Sequence, residues 1–180
     1  AKSQTAQALA FPGPARGDAD RTAAHLMVGI ASGLGGRFFE ELRDRHSLAY
    51  TVSAFTVDRT LGGMFVGYIA TSPEREDEAR AGLAEQFAVL ARDGVTAEEL
   101  ERAQAYAIGI HAIARQSGAS LLGEVTDAWL VGRGLGELDD FDDRVRAVTV
   151  EAVSRVARAN FDPGRMVEGI VRGVVGGPGY

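Results

Sequence analysis

The sequence predicts an α+β fold, a single mostly antiparallel β-sheet of about four strands with helices packed on one face. Three observations carry that reading: a strand-like segment near each end of the chain, a hairpin pattern in its first half, and four or five helical periods between the hairpin and the last strand. One sheet is the economical way to pair two terminal strands with a central hairpin, and its apolar face then needs a helical layer. A doubly wound nucleotide fold does not follow from this order. At 180 residues, 46% of them hydrophobic, the chain can bury a core as one domain spanning 1–180.

Each element has a local reason. Gln4 to Phe11 alternates, with Thr5, Gln7, Leu9 and Phe11 on one face, and Pro12-Gly13-Pro14 is expected to stop the strand. Asp18 or Asp20 is the expected cap of a helix carrying Ala23, Leu26, Met27 and Ile30. Gly33, Gly35 and Gly36 break that helix, since each glycine costs about 1 kcal/mol relative to alanine. Leu34, Phe38 and Leu42 then fall at i, i+4 intervals on a second short helix that leads into Arg43.

Ala49 to Val57 and Met64 to Ala70 are rich in β-branched and aromatic residues, and the turn-forming stretch Asp58 to Gly63 joins them as a hairpin. Ser72 and Pro73 start a helix with Ala79, Leu83, Phe87 and Leu90 inside, closing at Gly94. Thr96 and Glu99 form a capping box for a helix whose stripe runs from Leu100 through Ala103, Ala107 and Ile110 to Ala114. Helical character resumes after Gly118 through Leu121, Leu122, Val125 and Trp129, with Trp129 expected in core or interface, and Gly132, Gly134 and Gly136 end it. Asp139 or Asp140 caps a helix with Phe141, Val145 and Val148, and Thr149 caps one with Val153, Val156 and Ala157. Met166 to Val171 reads as the last strand, and the Gly-rich tail from Gly173 to Tyr180 as a linker remnant.

Composition removes several function classes. A net charge of -6 opposes a nucleic-acid surface, which needs clustered positive charge. With no cysteine, disulfides and thiolate chemistry are absent. No apolar run approaches the roughly 20 residues of a membrane-spanning helix. A first residue Ala1 in place of Met points to a piece of a longer chain, with any targeting signal upstream, so the compartment stays open.

The stretch from Gly33 to Tyr50 delivers an arginine from a glycine-broken helix and, seven positions later, a tyrosine at the start of a strand. This segment, with Leu48-Ala49 between the two, resembles the non-zinc domain of the pitrilysin or insulinase-type (inverzincin) zinc metallopeptidases. Gly62-Gly63-Met64-Phe65, Ala70 to Glu74, Gly94 to Ala103 and Val148 to Val153 resemble further landmarks of that domain in the same order, so the likeness covers nearly the whole chain. Taken singly, each is ordinary capping and turn chemistry; their order makes them specific. The resemblance implies that Arg43 and Tyr50 bind peptide substrate and stabilise the transition state at a zinc site held by a homologous domain, in the same parent chain or a separate subunit. The zinc signature H-x-x-E-H is nowhere in the sequence, so this chain is expected to hold no zinc and to cut no peptide alone. Family members often have Ser-Arg-Leu where this chain has Gly36-Arg37-Phe38, and His46-Ser47 departs similarly, which bears on substrate preference. An isolated domain of this kind is also expected to pair with itself through a vacant sheet edge or helix face.

Other features have plainer readings. Gly33-x-Gly35-Gly36 follows a helix and lacks a Lys-Ser/Thr pair, so it reads as a helix break and not a phosphate cradle. His25, His46 and His111 are too scattered for a zinc triad, and His111 reads as lying on a wet helix face. Asp139 to Asp143 lacks the glycine and terminal glutamate of a calcium loop and reads as an acidic helix start. Arg43 alone would be expected to pair with Glu40, Glu41 or Asp44.

Overall fold

A computed structural model of the chain describes residues 3–33, 35–130 and 134–173. Four strands form one antiparallel sheet: β1 (Thr5–Gly13), β2 (Thr51–Asp58), β3 (Gly63–Thr71) and β4 (Val167–Val171), in the order β2-β3-β1-β4. The helices are α1 (Arg21–Ser32), α2 (Glu76–Asp93), α3 (Ala97–Ala114), α4 (Gly118–Leu130), α5 (Gly136–Asp139), α6 (Phe141–Arg146) and α7 (Val150–Asn160). A π-helical segment, Phe39–Arg45, lies between α1 and β2. This is the α+β arrangement expected from the sequence.

The register of the sheet follows from its residues. Leu9 lies between Gly67 and Glu168, and Phe11 faces Phe65. Residues of this parity turn toward the helices, and Leu9, Phe11, Phe65 and Ile69 are all buried there. Phe87 of α2 sits at the centre of an aromatic cluster, with ring centroids 4.8 Å from Phe11, 5.1 Å from Phe38 and 4.8 Å from Phe161. Such tilted and edge-on pairs add about 0.5–1.5 kcal/mol each beyond burial. Gly67 leaves the room this needs, because a Cβ there would lie 2.6 Å from the Phe87 ring.

Several expectations are corrected. β1 does not stop at Pro12; it runs on to Gly13, paired with β3 throughout. β4 pairs only Ala6 to Ala10, so the missing N–H of Pro12 forfeits no ladder bond on that side. Asp20 precedes α1 without capping it by a side-chain bond, and its two oxygens instead accept from Arg155 at 2.7 Å. Asp18 accepts from the Ala15 amide. Ser72 makes no side-chain cap, and Pro73–Arg75 forms a 3-10 turn ahead of α2. The Thr96/Glu99 capping box and the Thr149 cap are formed as expected.

The stripe of α3 is covered through its first half, where Leu100 and Ala103 are buried and Ala107 packs against the core; Ile110 is exposed. Trp129 is 74% exposed and so is not core. Leu34, Gly132 and the tail beyond Gly173 lie outside the described residues.

Candidate functional site

Phe38 and Leu42 are fully buried, one turn apart, and pin the π-helical segment to the core. The segment begins four residues after Gly35, whose φ of +73 is a conformation that favours glycine. Its last turn widens: the His46 amide donates to Glu41 O at 3.2 Å, five residues back, and the Leu48 amide to Leu42 O at 2.8 Å. Ser47 then reverses the chain in the left-handed region, φ 49. Leu48 and Ala49 are buried again, and the Tyr50 amide donates to Ala70 O at 3.1 Å, which docks the corner on β3. β2 proper begins at Thr51, one residue after the tyrosine.

Arg75 clamps this corner from outside. Its guanidinium donates to Ser47 O at 2.7 Å and His46 O at 3.2 Å, and to both carboxylate oxygens of Glu78 at 2.9 and 3.0 Å. The bond from Arg75 holds the Glu78 carboxyl below its ordinary value. Gly82 lets α2 press on the same corner, since a Cβ there would meet Leu42 at 2.9 Å and Leu48 at 3.2 Å.

With the backbone fixed, the two predicted residues turn outward. Arg43 is exposed, Tyr50 is 75% exposed, and both line one cleft of about 650 Å³ together with Ser47, Thr71, Ser72 and Arg75. Arg43 does not pair with Glu40, Glu41 or Asp44. Arg45 takes Glu40 at 2.9 Å and also bonds Glu41, while the Arg43 guanidinium lies 4.5 Å above the Phe39 ring. Among the described residues neither Arg43 nor the Tyr50 phenol spends a donor on another protein group. A permanently charged planar donor and a neutral hydroxyl donor thus open on one space, and neither must change protonation to act.

Phe39 and Arg75 were not singled out from the sequence, although each left a signal there. Phe39 is four residues before Arg43, the spacing at which helical side chains meet. Arg75 is a cation at a helix start, where the dipole disfavours positive charge, so a use elsewhere was to be expected.

The donor set does not suit a resident metal. Among the described residues no three His, Asp or Glu side chains gather as ligands. His46 Nε2 stands 3.9 Å from Glu41 Oε2 without a third partner, and His25 Nε2 is 2.7 Å from Asp58. His111 is not on a wet face as expected: it stacks on Phe141 at 3.7 Å, with Nε2 3.4 Å from Glu124.

Residues 1–106 match the family described as the peptidase M16 inactive domain. An uncharacterized zinc protease of Streptomyces coelicolor is 26% identical over 151 residues, 83% of this chain and 33% of that protein. One from Mycobacterium tuberculosis is 29% identical over 157 residues, 86% of this chain and 36% of that protein. The chain therefore spans about a third of the length of these curated relatives. The peptidase M16 inactive domain from Pseudomonas fluorescens superposes with a TM-score of 0.85 at 26% identity, covering 98% of this chain and 43% of that one. A protease from Helicobacter pylori has the same fold, with a TM-score of 0.85 at 17% identity over 95% of this chain and 42% of that one. The match runs over more than half of the sequence, and the chain belongs to the peptidase M16 family, in the class of its inactive domain.

Proposed function

We propose that this chain is one domain of a longer peptidase assembly, where it binds peptide substrate and supplies Arg43 and Tyr50 to stabilise the transition state. The observation that carries the reading is the shared cleft: two side chains seven residues apart leave a clamped corner on the same side, with their donors unspent. When a scissile carbonyl is attacked its oxygen gathers negative charge, and a preplaced guanidinium or phenol is worth more there than in the ground state. A zinc ion in a homologous domain, of the same parent chain or of another subunit, supplies the activated water when bound. Arg43 and Tyr50 hold the carbonyl, and the Phe39 ring and the Arg75 clamp fix where they point.

The test is peptide turnover by the complete assembly. Arg43→Ala and Tyr50→Phe should each lower kcat/KM, by up to about the 10²–10³-fold that removal of one oxyanion donor costs, with the thermal midpoint unchanged. Turnover equal to wild type in both variants would remove the reading.

A second reading is a catalytically inactive structural or peptide-binding domain. It is supported by a chain of Complex III2 from Candida albicans, which shares this fold with a TM-score of 0.81 at 11% identity. The two readings separate on whether the parent chain or its partner carries H-x-x-E-H. Absence from both favours the structural role.

A further inference from the structure

We propose that a cavity enclosed by α1, α3, α4, α5 and α6 is a second binding site, which takes a small organic cation: an ammonium or amidinium head on a compact apolar body. It is separate from the Arg43 cleft. Arg21 and His25, which line it from α1, both bond Asp58 at the far end of β2. Tyr50 stands one residue before the start of that strand, so at about 3.3 Å per residue the two sites lie roughly 25 Å apart. The cavity holds about 280 Å³, just below the ~300–1,000 Å³ of sites for drug-sized ligands, so its occupant is smaller than those.

The lining divides by chemistry. Leu26, Ala107, Phe141 and Val145 offer an apolar wall, which suits a hydrocarbon body. The polar remainder includes three carboxylates, Glu124, Asp127 and Glu137, and two guanidinium groups, Arg21 and Arg144. Both guanidinium groups are committed. Arg21 donates to Asp58 at 2.8 Å and to Glu137 Oε1 at 3.5 Å, and Arg144 to the Glu137 carbonyl at 2.9 Å. Asp127 pairs with Arg16, and His111 Nε2 lies 3.4 Å from Glu124 Oε1.

What remains unspent is acceptor. Glu124 Oε2 and Glu137 Oε2 are both shielded from solvent and receive no hydrogen bond, with Arg115 Nε standing 3.9 Å from the first. Among the described residues no side-chain donor of the lining is left buried and unsatisfied in this way. A buried acceptor without a donor is costly, and the terminal torsion of glutamate is soft and roughly two-fold, so its second oxygen can turn to the cavity. The ligand must therefore bring N–H donors and positive charge. An anion would meet three carboxylates and no free donor. A metal ion is not served either, since among the described residues no three His, Asp or Glu side chains gather as ligands. An ammonium or amidinium makes charge-assisted bonds to a carboxylate with no further ligand needed.

Benzamidine carries both features and is the probe. Titrated into the protein and followed by calorimetry, it should bind with a Kd below about 1 mM. Benzamide, of the same shape without the charge, and benzoate should each bind about tenfold more weakly or worse. Glu124→Gln and Glu137→Gln should each weaken benzamidine by a similar factor. Because Glu137 also serves Arg21, Ala107→Leu provides a variant that keeps every ion pair and fills the cavity, and it should abolish binding. Arg43→Ala should leave the Kd unchanged, so this site and the peptide-binding reading stand or fall separately. No saturable binding of benzamidine, benzamide or benzoate binding as tightly as benzamidine, or a Kd that Ala107→Leu leaves unchanged would each overturn the proposal. So would loss of binding in Arg43→Ala, which places the probe in the other cleft.

Discussion

Phe39→Leu isolates what the ring beneath Arg43 contributes to function. The guanidinium stands 4.5 Å from the ring centroid at a solvent-exposed site, where a cation over an aromatic face is worth about 0.5–1 kcal/mol. Leucine keeps the apolar bulk on the half-buried side and removes the quadrupole, so the fold should hold. The free arginine side chain then regains rotamers, of which it carries about 2 kcal/mol in entropy terms. If the ring serves to aim Arg43 at the substrate carbonyl, losing about 0.5–1 kcal/mol of positioning lowers kcat/KM roughly 2- to 5-fold. The assay is peptide turnover by the complete assembly in a double-mutant cycle with Arg43→Ala. Phe39→Leu should cost its 2- to 5-fold with Arg43 present and nothing further once Arg43 is alanine. An equal loss in both backgrounds, or none in either, would refute the positioning argument.

Gly94 ends α2 with φ 71, and a Cβ there would lie 2.4 Å from Ser154 Oγ, which accepts a bond from the Val95 amide at 3.3 Å. Gly94→Ala combines backbone strain of about 1–3 kcal/mol with a disturbed hydrogen bond of about 1 kcal/mol; urea unfolding should report a loss of 2 kcal/mol or more, and a change below about 0.5 kcal/mol, the usual bound for a neutral surface substitution, would contradict it. Glu99 is pulled two ways: burial alone raises its pKa, and the bonds from Arg37 at 2.6 and 2.7 Å and from the Thr96 amide outweigh burial and hold it below the ordinary 4.5. A depressed folded pKa adds stability above the unfolded value and loses it as pH falls from about 4.5 through the folded value. Glu99→Gln should therefore flatten the stability profile below pH 4.5, read from urea midpoints between neutral and acid pH; parallel profiles would show that the pair adds no pH dependence.

Local chemistry made most of the fold legible. The hairpin could be read from β-branched runs on either side of a glycine turn, and α2 from Ala79, Leu83, Phe87 and Leu90, all of which are buried. The Thr96 and Thr149 caps close within three residues, so nothing distant competes for them. Asp20 failed as a cap for the opposite reason: Arg155, 135 residues away, offers a charge-assisted fork that no local pattern reveals. Trp129 and Ile110 show the same limit from the apolar side. Periodicity says which face of a helix is greasy and cannot say whether this chain or another part of an assembly covers it.

The candidate site was legible as a pair and not as a mechanism of placement. Glu40, Glu41 and Asp44 surround Arg43 in sequence, and a count of nearby carboxylates would quench it. Helical geometry decides otherwise. Glu41 and Arg45 stand at i, i+4 with the acid toward the N-terminus, the favoured orientation, and they do bond. The corresponding position for Arg43 is Phe39, which can hold a cation without neutralising it. The sequence of this turn thus divides two arginines two residues apart into one that is consumed by structure and one that remains available to a ligand. The π-widened end and the left-handed Ser47 then carry the chain back to Tyr50 in seven residues, so that the second donor joins the cleft of the first.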